Sequence, residues 1–174
     1  MTLPRYITFH GDPYALAGDP VAAGMPAPDF TLARFHDGIQ SCLELVDLIA
    51  TGKPTLISVI TSVDTPVGGI QTKMFDSLLL EHAGRVNGLL VSSDLPFTLN
   101  RFHNTEGLRV LVCGSDYFCD FGERFGVLID DPRILARAVF VLDAEGTVRH
   151  AEVVDEITTE PDYQAAIAAV VSLL

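Results

Sequence analysis

Apolar and polar positions alternate along this chain in periods that change from segment to segment, and the changes mark its elements. Residues 53–60, KPTLISVI, form a β-branched run that is apolar on both faces, the pattern of a central strand covered on two sides. Residues 85–95, RVNGLLVSSDL, predict a second buried strand with a polar end, and residues 108–116, LRVLVCGSD, a third. Between them, residues 66–84, PVGGIQTKMFDSLLLEHAG, carry Ile70, Met74, Leu78 and His82 four apart, which predicts an amphipathic helix. PFTLNRFHNTEG predicts a short helix closed by Gly107.

The flanks fill in the order. ITFHGDPYALAG predicts a hairpin turning at Gly-Asp-Pro, and GDPVAAGMPAPDF an extended linker. DFTLARF predicts a strand, DGIQ a turn, and CLELVDLIA a helix ending near Gly52. FCDFGERFGV predicts a turn or two of helix, and ARAVFVLDAEGTVRHAEVV two strands joined at Asp-Ala-Glu-Gly. The last segment, TTEPDYQAAIAAVVSLL, predicts a helix capped by Thr159, with Glu160 and Pro161 in its first turn and Asp162 three residues after the cap. Strands alternating with helices imply an α/β fold with a partly parallel sheet and helices on both faces. A carboxy-terminal β-β-α after a βαβ unit is the thioredoxin-like order.

Composition narrows the partners. The 174 residues fit a single domain, 1–174, and 48% of them are hydrophobic, enough for a core without metals or disulfides. Only 11 Lys and Arg stand against 23 Asp and Glu, a net charge of −12, which argues against nucleic acid or an anionic membrane surface. The amino terminus has no signal-peptide core, and no run approaches the roughly 18 apolar residues of a membrane span, so the expectation is a cytoplasmic protein. Three cysteines, Cys42, Cys113 and Cys119, are too few for a disulfide framework, and metal-ligand spacings are absent, so neither metal nor cofactor is expected.

One stretch has the form of a reactive site without a reactive group. TSVDTPVGGIQT, residues 61–72, runs from the end of a strand into a helix that Asp64 or Thr65 can cap, and its first turn is Pro66-Val67-Gly68-Gly69. The leading N–H groups of a helix are unsatisfied and carry positive potential, and two glycines leave them unshielded. Two glycines there also cost on the order of 1 kcal/mol each relative to alanine.

Five segments then resemble, in order, the bacterial thiol peroxidases, a branch of the peroxiredoxins: FHGDPYALAG, SVDTPV, SSDLPFTLNRFHNTEGL, LARAVFVLD and VDEITTEPDYQAAI, from Val154 to Ile167. The resemblance spans essentially the whole chain. It implies a thioredoxin-type (peroxiredoxin) fold with an amino-terminal β-hairpin and a central mixed sheet flanked by helices, and usually a homodimer. It also implies a two-cysteine mechanism with thioredoxin as reductant. Residue by residue, it places the family threonine at Thr65 and the family arginine at Arg137. The same correspondence puts the peroxidatic cysteine position at Gly68, the motif proline at Thr61 and the resolving cysteine position at His103.

Two readings follow from that pattern. In the first, the chain is a homologue without thiol peroxidase activity. It binds a small anion or carboxylate at Thr65, Pro66, Val67, Gly68, Gly69 and Arg137, or acts as an interaction protein, as a homodimer or a heterodimer with an active paralogue. In the second it remains an antioxidant enzyme, either through a relocated cysteine or through another reaction in the same pocket that depends on Arg137 or His103. Glycine offers no nucleophile, and a threonine hydroxyl attacks an O–O bond poorly compared with a thiolate. None of the three cysteines follows the Thr-x-x spacing, and each reads as a small buried apolar residue. His103 and Asn104 read as a solvated helix face, and Asp155, Glu156, Glu160 and Asp162 as cap chemistry and surface charge.

Overall fold

The computed structural model describes residues 5–118 and 120–174; Cys119 lies outside the described residues. Three buried strands run parallel at the centre: β5 (Thr55–Val59), β6 (Asn87–Ser92) and β7 (Leu111–Ser115). Strands β9 (Ala138–Leu142) and β10 (Val148–Val153) extend the sheet on one side. Strands β3 (Thr31–His36) and β4 (Ile39–Glu44) extend it on the other, giving the order β10-β9-β5-β6-β7-β3-β4. Every residue of β5 and β9 is buried, as runs apolar on both faces require.

The period of two splits the core. Ile57, Val59, Leu89, Val91 and Phe140 point to one face, where Phe30, Phe121 and Phe125 pack edge-on or stacked. Leu56, Leu90, Val139 and Val141 point to the other, against Phe75 and Leu79 of α2 (Pro66–Leu79), Leu99 and Phe102 of α3 (Pro96–Glu106), and Ala166 and Val170 of α5 (Tyr163–Val171). The amino-terminal hairpin, β1 (Arg5–Phe9) and β2 (Asp12–Ala17), forms a separate small sheet with β8 (Leu128–Ile129). The mixed sheet, flanking helices and leading hairpin are those expected.

Several elements differ from the sequence reading, each for a tertiary reason. The first hairpin turns at His10 and Gly11, both at positive φ, so Asp12 and Pro13 already belong to β2. Ile39 to Glu44 form a strand and not the start of a helix, because β3 offers them a continuous ladder from Thr31↔Glu44 to His36↔Ile39. Only Leu45–Ile49 is helical (α1), and Cys42 therefore sits exposed on an edge strand instead of buried on a helix. Helix α5 is capped by Asp162, whose carboxylate accepts the Ala165 N–H, while the Thr159 hydroxyl donates to the Glu156 carbonyl in the preceding turn. The remaining short helix, α4 (Asp120–Arg124), starts where Asp116 accepts the N–H groups of Phe121 and Gly122.

Helix α2 departs most. Ile70, Met74 and Leu78, the stripe expected to pack inward, are 45%, 41% and 36% exposed. The buried face is Gln71, Thr72, Phe75, Asp76 and Leu79. Three polar residues are tolerated inside because each finds a partner there. The Asp76 carboxylate alone accepts the N–H groups of Arg109, Val110 and Leu111, at 2.8–3.1 Å.

Candidate functional site

Strand β5 ends at Val59 and the chain crosses the sheet edge through Thr61–Asp64 into α2. Asp94, just past β6, holds this loop from below: its carboxylate accepts Ser62 Oγ at 2.8 Å and the Val63 N–H at 2.9 Å. A second short network closes the loop from above. The Thr65 hydroxyl donates to the Ser62 carbonyl at 2.7 Å and accepts the Gly68 N–H at 3.2 Å, which makes Thr65 the N-cap of α2. The Gly69 N–H donates to the Thr65 carbonyl at 3.0 Å.

These bonds change the expected character of the turn. The N–H groups of Gly68 and Gly69, read from sequence as unshielded, are both engaged by Thr65. The glycine at 68 also has a spatial cause: a Cβ there would stand 2.1 Å from the Ser62 carbonyl oxygen and 2.6 Å from Thr65 Oγ1. Backbone occupies the room a side chain would need. Gly69 differs, with its nearest neighbour, the Val63 carbonyl oxygen, at 3.8 Å from a built Cβ.

Arg137, at the start of β9, is 1% exposed. Its Nε donates to the Ile157 carbonyl at 3.0 Å and its Nη1 to Gln71 Oε1 at 2.7 Å, and burial lowers its pKa from the ordinary arginine value. Gln71 in turn donates to Ser58 Oγ and the Val59 carbonyl. Arg137 thus reaches the underside of α2 one turn beyond Gly68, through a residue that sequence reading passed over. No sequence signal singles out Gln71: at 100° per residue it borders the Ile70–Met74–Leu78 stripe at the margin of the buried face, and only the contact with Arg137 gives it a role.

Above the loop lies a cavity of about 320 Å³ lined by Phe9, Tyr14, Thr61, Thr65, Ile129, Pro132, Ile134 and Ile157. Of the residues expected to hold a ligand, Thr65 alone contributes to its wall; Pro66, Val67, Gly68, Gly69 and Arg137 do not. The wall is dominated by apolar side chains, and the hydroxyl of Thr61, which is 9% exposed, is buried with no hydrogen-bond partner. The hairpin that supplies Phe9 and Tyr14 is held by Glu156, which accepts Thr8 Oγ1 and the N–H groups of His10 and Gly11. Those bonds, with one from Thr158, bring its pKa down to about 2. Glu156, Glu160 and Asp162 are thus spent on turns and caps: Glu160 accepts the Tyr163 hydroxyl.

His103 is half-buried on the exposed side of α3 and lines a second cavity, of about 270 Å³, with Arg34, His36, Asn100, Arg109 and Cys113 among its walls. Its Nδ1 lies 3.4 Å from Asn104 Oδ1 and its ring 6.2 Å from that of His36. Burial pushes the Cys113 thiol up to about 12, so it is a neutral thiol at physiological pH, without thiolate character. Among the described residues no cluster of His, Cys, Asp and Glu is arranged to hold a metal, and no helix is long and apolar enough to cross a membrane.

Comparison with known proteins agrees with this architecture. The Redoxin family model matches residues 22–167. The chain is 43% identical to a thiol peroxidase of Staphylococcus aureus (strain MRSA252) over 164 residues, covering 94% of this chain and 96% of that one. It is 42% identical to a thiol peroxidase of Bacillus subtilis (strain 168) over 172 residues, 97% and 98% of the two chains. Among solved structures, a peroxiredoxin-like protein from Aquifex aeolicus superposes with a TM-score of 0.85 at 30% identity, over 98% of each chain. A thiol peroxidase from Chromobacterium violaceum shares the fold, with a TM-score of 0.81 at 21% identity over 96% and 95%. With the sheet order, the leading hairpin and the strand–loop–helix at Thr61–Gly69 already in place, these likenesses make the chain a member of the Redoxin family, alongside bacterial thiol peroxidases.

Proposed function

We propose that this chain is a cytoplasmic thiol-peroxidase homologue that does not reduce peroxides at the family's position and acts as a binding protein. One observation carries the reading: the Ser62 carbonyl oxygen stands only 2.1 Å from where the Cβ of a nucleophile at position 68 would be. A merely substituted active site would leave that volume open. Here Asp94 and Thr65 hold the loop closed over it.

Family-site residues then take new roles. Thr65 is a helix cap, and Arg137 is a strut between β9, α2 and the Ile157 turn. The small ligand belongs in the cavity above the loop, against Thr65 and the unpaired hydroxyl of Thr61. The apolar walls favour an uncharged ligand there over a small anion.

A partner surface accompanies it. Leu95, Phe97, Tyr117 and Phe118 are 52%, 49%, 42% and 71% exposed. The Ser115 hydroxyl donates to the Asp94 carbonyl, which ties together the ends of β6 and β7 from which these side chains follow, and the Tyr117 and Phe118 rings lie 3.9 Å apart. The four together favour a dimer with a second copy or with an active paralogue.

The test is intact mass after a brief, stoichiometric hydrogen peroxide pulse with a sulfenic-acid trap present, alongside peroxide consumption coupled to a dithiol. Unmodified thiols and no consumption are expected. An adduct formed within seconds on one cysteine would replace this reading with that of a peroxidase whose nucleophile has moved.

A further inference from the structure

We propose that the groove between α3 and the β3–β7 edge is a binding site for a small organic dianion, a phosphate monoester or a dicarboxylate, held between the guanidinium groups of Arg34 and Arg109.

The groove exists because β3 and β7 pair at a single position, Ala33↔Ser115. Beyond it the strands separate and the carboxy-terminal half of α3 spans the gap, leaving about 270 Å³. Phe35, braced edge-on by Phe97 at 5.0 Å, together with Leu108 and Val112, makes an apolar floor.

The charge at this groove runs against the rest of the molecule. The chain has 23 acidic side chains for 11 basic ones, so an arginine without a carboxylate partner is unexpected. Arg101, Arg124, Arg133 and Arg149 each pair with a carboxylate, and Arg5, Arg85 and Arg137 donate to backbone or amide oxygens. Among the described residues, the guanidinium groups of Arg34 and Arg109 are the two without such a partner, and both line this one cavity. His36, His103 and Asn100 add further donors to its wall. Neither nearby carboxylate pairs with these guanidinium groups: Asp37 lies 3.3 Å from exposed His36, and Asp76 accepts the N–H groups of Arg109, Val110 and Leu111.

Preorganisation is built in. Gly107, at φ 65°, ends α3 and turns the chain back through Leu108, and Asp76 then locks the backbone of Arg109. Arg34 projects from a strand paired along its whole length with β4. Arginine forks on fixed backbones match the planar oxygens of carboxylates and phosphates, and the apolar floor accepts the carbon body.

Isothermal titration calorimetry of the full chain at low salt tests this with phenyl phosphate and phthalate, and benzyl alcohol as the uncharged control. Saturable one-to-one binding of at least one dianion is expected, with benzyl alcohol silent. Arg34→Gln and Arg109→Gln should each weaken it about tenfold. In the unsubstituted protein, the same dianion should shield Arg34 and Arg109 from phenylglyoxal, read by peptide mass, and this readout does not depend on the variants folding. Binding undiminished in both variants, shielding of other arginines only, or no heat from either dianion would overturn the proposal.

Discussion

Two arginine environments separate the two regions of this molecule. Arg137 lies beneath the first turn of α2, buried and spent on Gln71 and the Ile157 carbonyl. Arg34 and Arg109 flank an open groove, and among the described residues their guanidinium groups have no hydrogen-bonding or carboxylate partner. An inherited motif points to the first region, and no motif points to the second. The difference teaches that a cation marks a binding site only while its donors are unpaired. At the α2 site Arg137 and Thr65 are engaged, down to the Thr65 hydroxyl that both donates and accepts, and it is the buried Thr61 hydroxyl that lacks a partner. At the α3 groove it is the two guanidinium groups that lack one.

The largest effect should come from the residue that joins the two regions. Asp76 leaves α2 to fix the backbone of Arg109, so Asp76→Ala strands three N–H groups, those of Arg109 and Val110 half-buried and that of Leu111 buried. It should destabilise the protein by about 3 kcal/mol, measured by urea unfolding. A loss well under about 1 kcal/mol would mean the groove's edge is not locked from α2.

The two glycines sharpen the picture of the closed site. Gly68→Ala should cost roughly 1–3 kcal/mol despite alanine's better helix propensity, because its Cβ meets the Ser62 carbonyl at 2.1 Å. Gly69→Ala, with nothing nearer than 3.8 Å, should stabilise by up to about 1 kcal/mol. Opposite signs in thermal melts support a loop closed on position 68. Equal gains would show that the volume is still open, and Gly68→Cys would then be the variant to assay with peroxide.

Thiol chemistry separates exposure from activation. Iodoacetamide at neutral pH should label exposed Cys42 and spare Cys113, whose thiol is held up at about 12. Fast labelling of Cys113 would reopen the relocated-nucleophile reading.

The smallest effect is expected at the hairpin above the cavity. The folded pKa of Glu156, about 2, lies below the ~4.3 of an unfolded glutamate. Its contribution is therefore full above the unfolded value and disappears as pH falls through the folded one. The melting temperature of Glu156→Gln should trail the parent at pH 7 and converge with it toward pH 2. A gap independent of pH would mean the carboxylate's charge is not what holds the hairpin.

Much of this was legible in the chain. Runs such as TLISVI and AVFVL specify strands by themselves, since a segment apolar on both faces must be covered on both. The resemblance pointed to Thr65 and Arg137, and the fold puts Thr65 at the N-cap of α2 and Arg137 against Gln71, one turn further on. The resemblance did not reveal whether their donors were free, because that depends on Gln71, Ser62 and Ile157, which lie far apart in sequence. The α2 stripe misled for a related reason. A helix normally buries its apolar side, but Gln71, Thr72 and Asp76 are each satisfied inside, so α2 turns Ile70, Met74 and Leu78 outward.

What the sequence determined alone is what local physics dictates: the periods of strands and helices, the α/β order, the acidic balance, and a helix start with Gly68 and Gly69 in its first turn. The tertiary structure alone decided which charges are neutralised and which volumes are filled. The Ser62 carbonyl beside position 68 is set by the folded loop, while the strut at Arg137 and the shared wall of Arg34 and Arg109 at the groove by α3 join residues distant along the chain. Hydrogen bonding and steric exclusion act over a few ångströms in space, and only the folded chain sets those distances.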